Sequence, residues 1–317
     1  MNKQPSVLII ILNWNGKGFI EDCISSIKEN TKYPNHHILV VDNNSSDSSD
    51  NTAEDMGAEV IRNKENLGFD IGNNIGIYEN PDYDYYFLLN NDTEVKKGWL
   101  EEIISTAEME KSIGIAGPKV LNINGSVQSA GFRLHPLENI HEEENSEDLT
   151  GKENVEAIHG CSMLINREVV ESIGYLDEIF SLGNSEEWDY CERAKKAGFK
   201  VYVDYDSKII HKEDLTMDQV GSQLSYLLNR KNKIKYELMN GRPKSIISRF
   251  YDMIKFFAAS LIGYKYNPMS MVLKMWKETI IDLPTTIKKR FKRREYIPSY
   301  YCEEVKNYSK RYESLKQ

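Results

Sequence analysis

Three short polar clusters near the start of the chain contain residue types that could bind a small ligand or a cation. They are Asn13-Trp14-Asn15, Asp42-Asn43-Asn44 and Asn90-Asn91-Asp92, and each directly follows an apolar run. An isolated Asx-rich loop is usually only a turn. However, ligands of open parallel sheets bind beyond the carboxyl ends of the strands, where such clusters would converge. The three clusters together therefore predict one binding site.

An acidic segment later in the chain could provide a general base. Ser185-Glu186-Glu187 opens a predicted helix, Glu186–Ala197, which Gly198 ends as a C-cap. Carboxylates in the first turn of a helix also suit its dipole, which is the structural explanation for them. Common nucleotide motifs are missing, since no GxGxxG follows the first apolar run and no GxxxxGK[ST] occurs. The sequence therefore disfavours a dinucleotide site and excludes a P-loop.

The elements that would position these residues alternate between strands and helices. Short apolar runs predict strands, and apolar residues at three- and four-residue intervals predict helices. The predicted strands are Val7–Leu12, His37–Val41, Glu59–Arg62, Tyr85–Leu89 and Ile113–Pro118, and the predicted helices include Asn73–Tyr78 and Trp99–Met109. This alternation indicates an α/β fold with a mostly parallel central sheet and helices on both faces.

The segment after Pro118 has a different pattern. Lys119–Arg133 is predicted to form short strands and turns, and the acidic segment His135–Glu156 is predicted to form a loop. An apolar strand pattern returns at Val155–Ile165. Two further short strands are predicted at Val201–Val203 and Lys208–Ile210.

The charge of the chain is distributed unevenly. The whole chain has a net charge of −9, but from Leu215 to the C-terminus it contains 21 Lys and Arg residues against 9 Asp and Glu residues. The acidic remainder argues against nucleic acid as a main partner. Two parts of such different charge are expected to have different neighbours.

The basic C-terminal part contains amphipathic segments. Apolar residues recur at helical spacing at Ile247, Phe250, Ile254, Phe257 and Leu261. Met271–Ile281 has a similar pattern, and Lys288–Arg294 is strongly basic. We expect these segments to contact an anionic membrane surface. The alternative is a helical subdomain that packs its apolar stripe on the rest of the protein.

The cysteines and the absence of an apolar span predict the compartment. Cys23, Cys161, Cys191 and Cys302 are scattered and lack zinc-like spacing, which suits a reducing cytoplasm. The first residues lead directly into a strand pattern and leave no room for a signal peptide. No window of about 18 apolar residues is free of charge. We therefore expect a cytoplasmic protein, with peripheral contact at the inner face of the cell membrane.

Six segments, in order and at matching spacing, resemble the inverting family 2 glycosyltransferases with the GT-A fold. The resemblance extends over roughly residues 5–240 and is greatest to the rhamnosyltransferase-like enzymes of bacterial surface-polysaccharide synthesis. The six segments are Ile10–Gly16, Val40–Asp47, Arg62–Phe69, Gly72–Ile77, Leu88–Val95 and Glu186–Cys191. The resemblance implies a GT-A catalytic domain over residues 1–215, with a nucleotide-binding half over 5–120 and an acceptor half over 121–215. Residues 216–317 would form a helical C-terminal extension.

By position, the resemblance implies a nucleotide-sugar site at the strand ends. Asp42 would accept a hydrogen bond from the N3–H of a uracil or thymine ring. Asp92 takes the metal-binding position of the family's D-x-D motif, and His211 completes a site for Mn²⁺ or Mg²⁺. The residues implied in nucleotide-sugar binding are Asn13, Asn15, Asp42, Asn66, Asn74, Asn90 and Asn91.

The resemblance also implies a catalytic base and an acceptor surface. Glu187 stands where the family usually carries a catalytic Asp, so that Asp189 and Glu186 remain alternative bases. Direct inversion at the anomeric carbon needs such a carboxylate to take the proton of the acceptor hydroxyl. His159 and Gly160 match a strand segment that faces the acceptor, and Trp188 could stack on an acceptor sugar; the structural alternatives are a packed histidine and a core tryptophan.

The function implied is transfer of a sugar from a UDP- or dTDP-sugar, of rhamnose, galactose or glucose type, to a glycan or lipid-linked saccharide. A sugar-phosphate nucleotidyltransferase is one alternative, because that fold also places a pyrimidine nucleotide on a similar sheet. It would require a Gly- and Arg/Lys-rich loop after the first strand, of which Asn13–Lys17 is a poor version. A catalytically silent carbohydrate-binding protein of the same fold is the other alternative, and Glu187 in place of Asp is its support.

Overall fold

Apolar runs at Val7 and Tyr85 are buried and form two adjacent inner strands of a large sheet. The computed structural model describes residues 4–134, 137–141, 148–180, 185–212, 222–241 and 269–291, with residues 246, 251, 254, 255 and 258. The strands are β1 Val7–Asn13, β2 His36–Asp42, β3 Glu59–Arg62, β4 Tyr85–Asn90, β5 Thr93–Val95, β6 Ile113–Leu121, β7 Val127–Ser129, β8 Phe132–Leu134, β9 Leu137–Asn139, β10 Lys152–Val155, β11 Ser162–Asn166 and β12 Lys200–His211. The helices are α1 Ile20–Asn30, α2 Ser49–Asp55, α3 Gly68–Glu79, α4 Trp99–Ala107, α5 Arg167–Ile173, α6 Glu186–Lys196, α7 Ser222–Asn240 and α8 Met269–Phe291, with a 3₁₀ turn at Glu178–Phe180.

The main sheet has the strand order β10-β12-β6-β11-β4-β1-β2-β3. Four of the seven junctions along this order are parallel, namely β12–β6, β4–β1, β1–β2 and β2–β3. The predicted α/β fold with a mostly parallel central sheet and C-terminal helices is therefore confirmed. The antiparallel β11 lies between β4 and β6, and separates the first four strands from the later half of the sheet.

Several predicted element bounds are wrong. The two short strands predicted at Val201–Val203 and Lys208–Ile210 are one strand, β12, whose register on β6 shifts between Asp204 and Lys208. The strand predicted over Val155–Ile165 is two strands, β10 and β11, which pair with different neighbours. Helix α3 begins at Gly68 rather than at Asn73. In each case long-range pairing or packing overrides the local pattern.

Helix α3 packs unusually close to β1 because two glycines face the strand. A Cβ atom at Gly76 would lie 2.8 Å from Ile10 Cγ2, and one at Gly72 would lie 2.3 Å from Leu12 Cδ1. Real Cβ atoms do not approach other atoms so closely. The two glycines, one helical turn apart, thus hold α3 against the strand that ends in Asn13.

The C-terminal helices pack on the catalytic part of the chain through α7. Tyr236 and Met239 of α7 belong to the same apolar cluster as Trp188 of α6, and α8 packs on α7. Of the stripe predicted at 247–261, only Ile254 lies among the described residues, where it is helical and exposed. His135, residues 142–147 of the acidic loop and Lys292–Arg294 lie outside the described residues. No helix in the described part of the chain is long and apolar enough to cross a membrane.

Candidate active site

The end of β1 is joined to the end of β2 by side-chain hydrogen bonds. The parallel register places Asn13 beside Asp42. The fully buried Asn13 donates through Nδ2 to Asp42 Oδ1 and to Ser49 Oγ, both at 2.8 Å. Its Oδ1 accepts from Asn91 Nδ2 at 2.8 Å. Two of the polar clusters predicted to converge, together with Asn91 of the third, therefore meet through Asn13.

Asp42 has one unused acceptor position at this site. Its Oδ2 accepts from the backbone N–H of Ser45 at 2.9 Å, and its Oδ1 accepts from Ser45 Oγ at 2.6 Å as well as from Asn13. A carboxylate offers about four lone-pair positions. The remaining position on Oδ2 is available to a donor such as the N3–H of a pyrimidine ring. Asn15 has a φ of 49° and accepts through Oδ1 from the backbone N–H of Ser46 at 2.8 Å, which fixes the neighbouring loop.

Gly16 leaves space for the contact between Asn13 and Asn91. A Cβ at this position would lie 2.2 Å from Asn91 Nδ2 and 2.3 Å from Asn13 Oδ1. Only glycine fits here without moving both amides. The turn after β1 is therefore shaped by the amide pair beneath it.

Two of the asparagines predicted to bind the donor use their side-chain amides on the protein backbone. Asn74 uses both amide atoms on Leu176, accepting from its backbone N–H at 3.0 Å and donating to its carbonyl at 2.9 Å. Asn66 accepts from the backbone N–H of Gly68 at 2.9 Å and so fixes the start of α3. Neither Asn66 nor Asn74 is therefore assigned to the donor site. Asn90 is half-buried, and its carbonyl accepts from Thr93 Oγ1 at 2.7 Å.

Asp92 and His211 are brought together by the pairing of β5 with the end of β12. His211 is opposite Thr93 in this antiparallel pair, directly after Asp92. The His211 Nε2 atom lies 3.3 Å from Asp92 Oδ1, and both side chains are buried. The other ring nitrogen, Nδ1, lies 3.0 Å from Gln128 Oε1 on β7. Both nitrogens of the ring therefore face oxygen atoms.

This arrangement fits a divalent cation. Apart from the ring of His211, the buried Asp92 Oδ1 has no hydrogen-bond donor among the described residues. Two ligands of one octahedral cation with bonds of about 2.1 Å lie about 3 Å apart, close to the observed 3.3 Å. Without a cation, the ring of His211 must hold a second proton to face both oxygen atoms. Burial lowers the pKa of His211, but Cys161 and Asp92 outweigh burial and raise this pKa to about 11.

Two further metal-type ligands lie next to His211. The ligand atoms of His159, Cys161 and His211 lie within 4.8 Å of one another, and the two histidine rings are 5.5 Å apart between centroids. Burial raises the pKa of the Cys161 thiol, but His159 and His211 outweigh burial and lower it to about 6. Imidazole and thiolate are softer ligands than carboxylate. The site therefore offers donors of both kinds within a small volume.

The start of α6 places Glu187 beside this cluster. Ser185, which precedes the helix, has a φ of 105°, and its backbone N–H donates to Glu187 Oε2 at 3.2 Å. Gly160 is the neighbour on the other side, since a Cβ there would lie 3.6 Å from Glu187 Oε2. Burial raises the pKa of Glu187, although the nearby His159 acts against this shift. A buried carboxyl with a raised pKa next to an open glycine is suited to accept a proton.

The other two acidic residues of α6 have different surroundings. Asp189 is fully buried, accepts from Arg193 Nε at 2.9 Å and accepts from Asn240 Nδ2 at 2.7 Å. Asp189 therefore holds α6 to α7 and is not assigned as the catalytic base. Glu186 is buried, and its Oε2 accepts no hydrogen bond from the described residues. Burial, together with Glu187 and Asp70, raises the pKa of Glu186 well above its usual range.

Trp188 and His159 lie on the side of the cluster expected to face an acceptor. The ring of Trp188 packs between Phe132 and Tyr236, at centroid distances of 5.9 and 6.0 Å. It is largely buried, as a core tryptophan is. His159 is half-buried, and its Nδ1 accepts from the backbone N–H of Cys161 at 3.2 Å. His159 and the adjacent Gly160 border Glu187.

Three side chains of this site carried no signal in the sequence analysis. Gln128 lies in a short strand of a segment predicted only as strands and turns, and Cys161 has no zinc-like spacing. Ser49 joins the site through Asn13 and the backbone N–H of Gly16.

The sequence comparisons identify the family. The pattern described as Glycosyl transferase family 2 matches residues 6–174, more than half of the chain. The chain therefore belongs to glycosyl transferase family 2 and is a glycosyltransferase. It is 26% identical over 266 residues to the low-salt glycan biosynthesis hexosyltransferase Agl10 of Haloferax volcanii, with 80% of each chain covered. It is 28% identical over 225 residues to the O-antigen biosynthesis protein RfbC of Myxococcus xanthus, covering 66% of this chain but only 17% of RfbC.

Solved structures show the same fold. The crystal structure of GalNAc-T7 with UDP, GalNAc and Mn²⁺ matches with a TM-score of 0.62 and 15% identity, over 88% of this chain and 55% of that one. S. aureus TarS 1–349 matches with a TM-score of 0.56 and 13% identity, over 98% and 91% of the two chains. At these identities the likeness concerns the fold alone, and the fold is GT-A. The predicted family and fold are thus confirmed, while the rhamnosyltransferase-like subgroup stays a prediction.

Proposed function

We propose that this glycosyltransferase moves a sugar from a UDP- or dTDP-sugar to a glycan or lipid-linked saccharide, with inversion at the anomeric carbon. The sugar expected is of rhamnose, galactose or glucose type. Agl10 and RfbC carry glycan and O-antigen biosynthesis in their names, which supports a role in cell-surface polysaccharide synthesis. GalNAc-T7 was solved with UDP and Mn²⁺, which supports a pyrimidine nucleotide and a divalent metal.

The donor nucleotide would occupy the ends of β1, β2 and β4. Asp42 Oδ2 would accept from N3–H of the base, because its other acceptor positions are already in use. This contact selects uracil or thymine over cytosine, whose N3 carries no proton. Asn13 and Asn91 position that carboxylate and the turn at Gly16, so their role is to shape the site. Asn15 and Asn90 are the further residues proposed to border the donor.

Asp92 and His211 would hold the divalent cation. Mn²⁺ suits a pair of carboxylate and imidazole better than Mg²⁺, which prefers oxygen ligands alone. When bound, the cation would offset the negative charge of the leaving diphosphate. Gln128 holds the ring of His211 through Nδ1 and so directs Nε2 towards Asp92.

Glu187 would be the catalytic base. One observation carries this proposal: Glu187 lies beside the proposed metal site. Glu187 contacts Gly160, the neighbouring ring of His159 packs on the ring of His211, and His211 contacts Asp92. An acceptor hydroxyl over Gly160 would give its proton to Glu187 while the anomeric carbon is attacked from the side opposite the leaving group. The glutamate is one methylene longer than the aspartate usual in the family.

The first experiment combines ligand binding with sugar transfer. UDP, dTDP and their sugars should raise the thermal midpoint, and more so with Mn²⁺, because a ligand of the native state stabilises it. Glu187→Gln should lower the transfer rate by roughly 10²- to 10⁴-fold while the nucleotide-induced shift is retained. Glu187→Asp keeps a carboxylate and should recover part of the rate.

The outcomes of this experiment separate the alternatives. A wild-type transfer rate in Glu187→Gln would show that the base is another residue. Nucleotide binding without transfer to any saccharide acceptor would support a catalytically silent protein. Release of pyrophosphate from a nucleoside triphosphate and a sugar 1-phosphate would indicate a nucleotidyltransferase, which the family assignment disfavours.

The metal ligands are tested by a second variant. Asp92→Asn removes the buried charge, and the Mn²⁺-dependent part of the UDP-induced stabilisation should be lost while the metal-independent part persists. Glu94→Gln is the matched control, because Glu94 is two residues away and forms an ion pair with Lys212. An unchanged Mn²⁺ response in Asp92→Asn would place the cation elsewhere.

A further inference from the structure

Helix α8 buries a mainly polar face and exposes an apolar one, the reverse of an ordinary surface helix. The side chains that α8 buries are mainly polar, whereas large apolar side chains are exposed. Among the side chains of α8 that the structure describes, the buried ones are Met275, Thr279, Asp282 and Thr286, at three- and four-residue spacing along one face. In soluble helices the apolar face is buried and the polar face is exposed. The sequence alternative, in which the apolar stripe packs on the rest of the protein, therefore does not apply to α8.

Charged contacts hold this polar face on the catalytic part of the chain. Asp282 lies 2.8 Å from Nζ of the buried Lys235 on α7, which also donates to the carbonyl of Ile179 at 2.7 Å. Lys289 is paired with Asp177, and Arg290 Nη2 donates to the carbonyl of Gly241 at 3.1 Å. A buried charge pair is costly to break. These contacts fix which face of α8 points outward.

The outward face is a continuous apolar stripe bordered by lysines. Four large apolar residues lie on one line of the helix, seven, seven and four residues apart, and are 47–77% exposed: Leu273, Ile280, Ile287 and Phe291. The exposed Lys277 and Lys288 lie beside this line. Helix α8 has two acidic residues, and neither lies on this line: Asp282 is buried on the opposite face, and the half-buried Glu278 is five residues from Leu273 and therefore points away from the stripe. Isolated exposed apolar residues are common, but a continuous stripe indicates a binding surface.

We propose that the exposed face of α8, defined by Leu273, Ile280, Ile287 and Phe291, docks on an anionic lipid bilayer surface. Charge complementarity supports this partner: among the described side chains of α8, those charged residues that border the stripe, Lys277 and Lys288, are positive, as expected for an interfacial helix on anionic lipid. The basic cluster Lys292–Arg294 follows directly in the sequence. A helix that lies in the interface buries its apolar side chains among the acyl chains and keeps its lysines at the headgroups.

Docking of this face would orient the site. Helix α7 connects the two, because Lys235 holds α8 while Asn240 of the same helix donates to Asp189 of α6. Helix α6 also carries Glu187. A bilayer bound to α8 is thus coupled through a single helix to the element that carries the proposed base. The docking itself requires no sugar transfer and does not rest on the proposed function.

The test is flotation of the full chain with vesicles that contain neither donor nor acceptor. The wild type should float with vesicles of phosphatidylcholine and phosphatidylglycerol and bind much less to phosphatidylcholine alone. Ile280→Glu combined with Ile287→Glu should lower binding at least tenfold, because charge on the stripe opposes insertion. Lys277→Gln combined with Lys288→Gln should lower binding to the anionic vesicles and make it less sensitive to salt.

Ile123→Glu is the matched control. Ile123 is 71% exposed in the turn between β6 and β7, so the change adds the same charge away from α8 and should leave flotation unaltered. Circular dichroism and the thermal midpoint verify that the variants fold. The proposal is overturned if the wild type does not float with anionic vesicles, or if the Ile280/Ile287 variant floats as well as the wild type. Concentration-dependent dimerisation lost in that variant, without vesicle binding, would instead assign the face to a second copy.

Discussion

Glu186 and Glu187 are adjacent, buried carboxyls with opposite requirements. Two neighbouring carboxylates in a dry site cannot both ionise cheaply, so they titrate as a pair. Glu186 is pushed towards the protonated form by burial, Glu187 and Asp70, whereas His159 favours the ionised form of Glu187. Burial raises the pKa of both carboxyls, and the pKa of Glu186 is raised well above its usual range, so we expect Glu186 to keep its proton at a pH at which Glu187 is ionised. This division is the physical reason for preferring Glu187 as base.

Glu186→Gln is expected to stabilise the fold as the pH rises. Because the folded pKa of Glu186 lies above the unfolded value, the wild type is favoured below the unfolded pKa and loses that stability as the pH rises through the folded pKa. Glutamine has no such proton to lose. The gain should be on the order of 1 kcal/mol for each unit of pKa difference, measured by urea unfolding at acidic and at neutral pH.

Glu21→Gln is the control for this measurement, because Glu21 is an exposed carboxyl in the first turn of α1. It should change stability little at either pH. An equal gain for Glu186→Gln at both pH values, or the same gain in Glu21→Gln, would contradict the assignment of the proton to Glu186.

At the scale of elements, the close packing of α3 on β1 fixes where the first polar cluster lies. Gly76 faces Ile10, a fully buried β-branched residue in the middle of β1. A β-branched side chain has little freedom to change rotamer. The position of α3 against β1, the strand that ends in Asn13, thus depends on the missing side chain at Gly76.

Gly76→Ala should therefore destabilise the protein by about 1–3 kcal/mol, the usual cost of overpacking a core. The sign is diagnostic, because alanine in place of a helical glycine without such a contact stabilises by roughly 0.5–1 kcal/mol. Thermal or urea unfolding measures the difference. Partial recovery is expected when Ile10→Val is added, since this removes a methyl group close to the new Cβ. A stabilised Gly76→Ala single variant would show that helix and strand can separate without cost.

At the scale of the whole molecule, α7 joins three functional regions. It buries Tyr236 against Trp188, donates through Asn240 to Asp189, and holds α8 through Lys235. The C-terminal helices are therefore part of the structure that positions α6 rather than an independent appendage. The vesicle flotation experiment belongs to this scale, because it asks how the chain as a whole is oriented.

The sequence alone determined the fold class and the family of this protein. Six ordered segments and the alternation of strands with helices were sufficient, because strand periodicity and strand-end loops are local properties. It also indicated that the ends of β1, β2 and β4 would converge, since parallel strands end at one edge of a sheet. The GT-A fold that these patterns and the family resemblance predicted is confirmed.

Only the tertiary structure decided which polar residues are available for chemistry. Asp189 and Glu187 are two residues apart in one helix, but Asp189 forms an ion pair with Arg193 and accepts a hydrogen bond from Asn240, which is 51 residues away. Asn74 is taken up by the backbone of Leu176, 102 residues away. The pairing of β5 with β12 sets His211 against Asp92, and ion pairs turn the apolar face of α8 outward. Such contacts depend on the packing of residues that are distant in the sequence, and local sequence patterns carry no information about them.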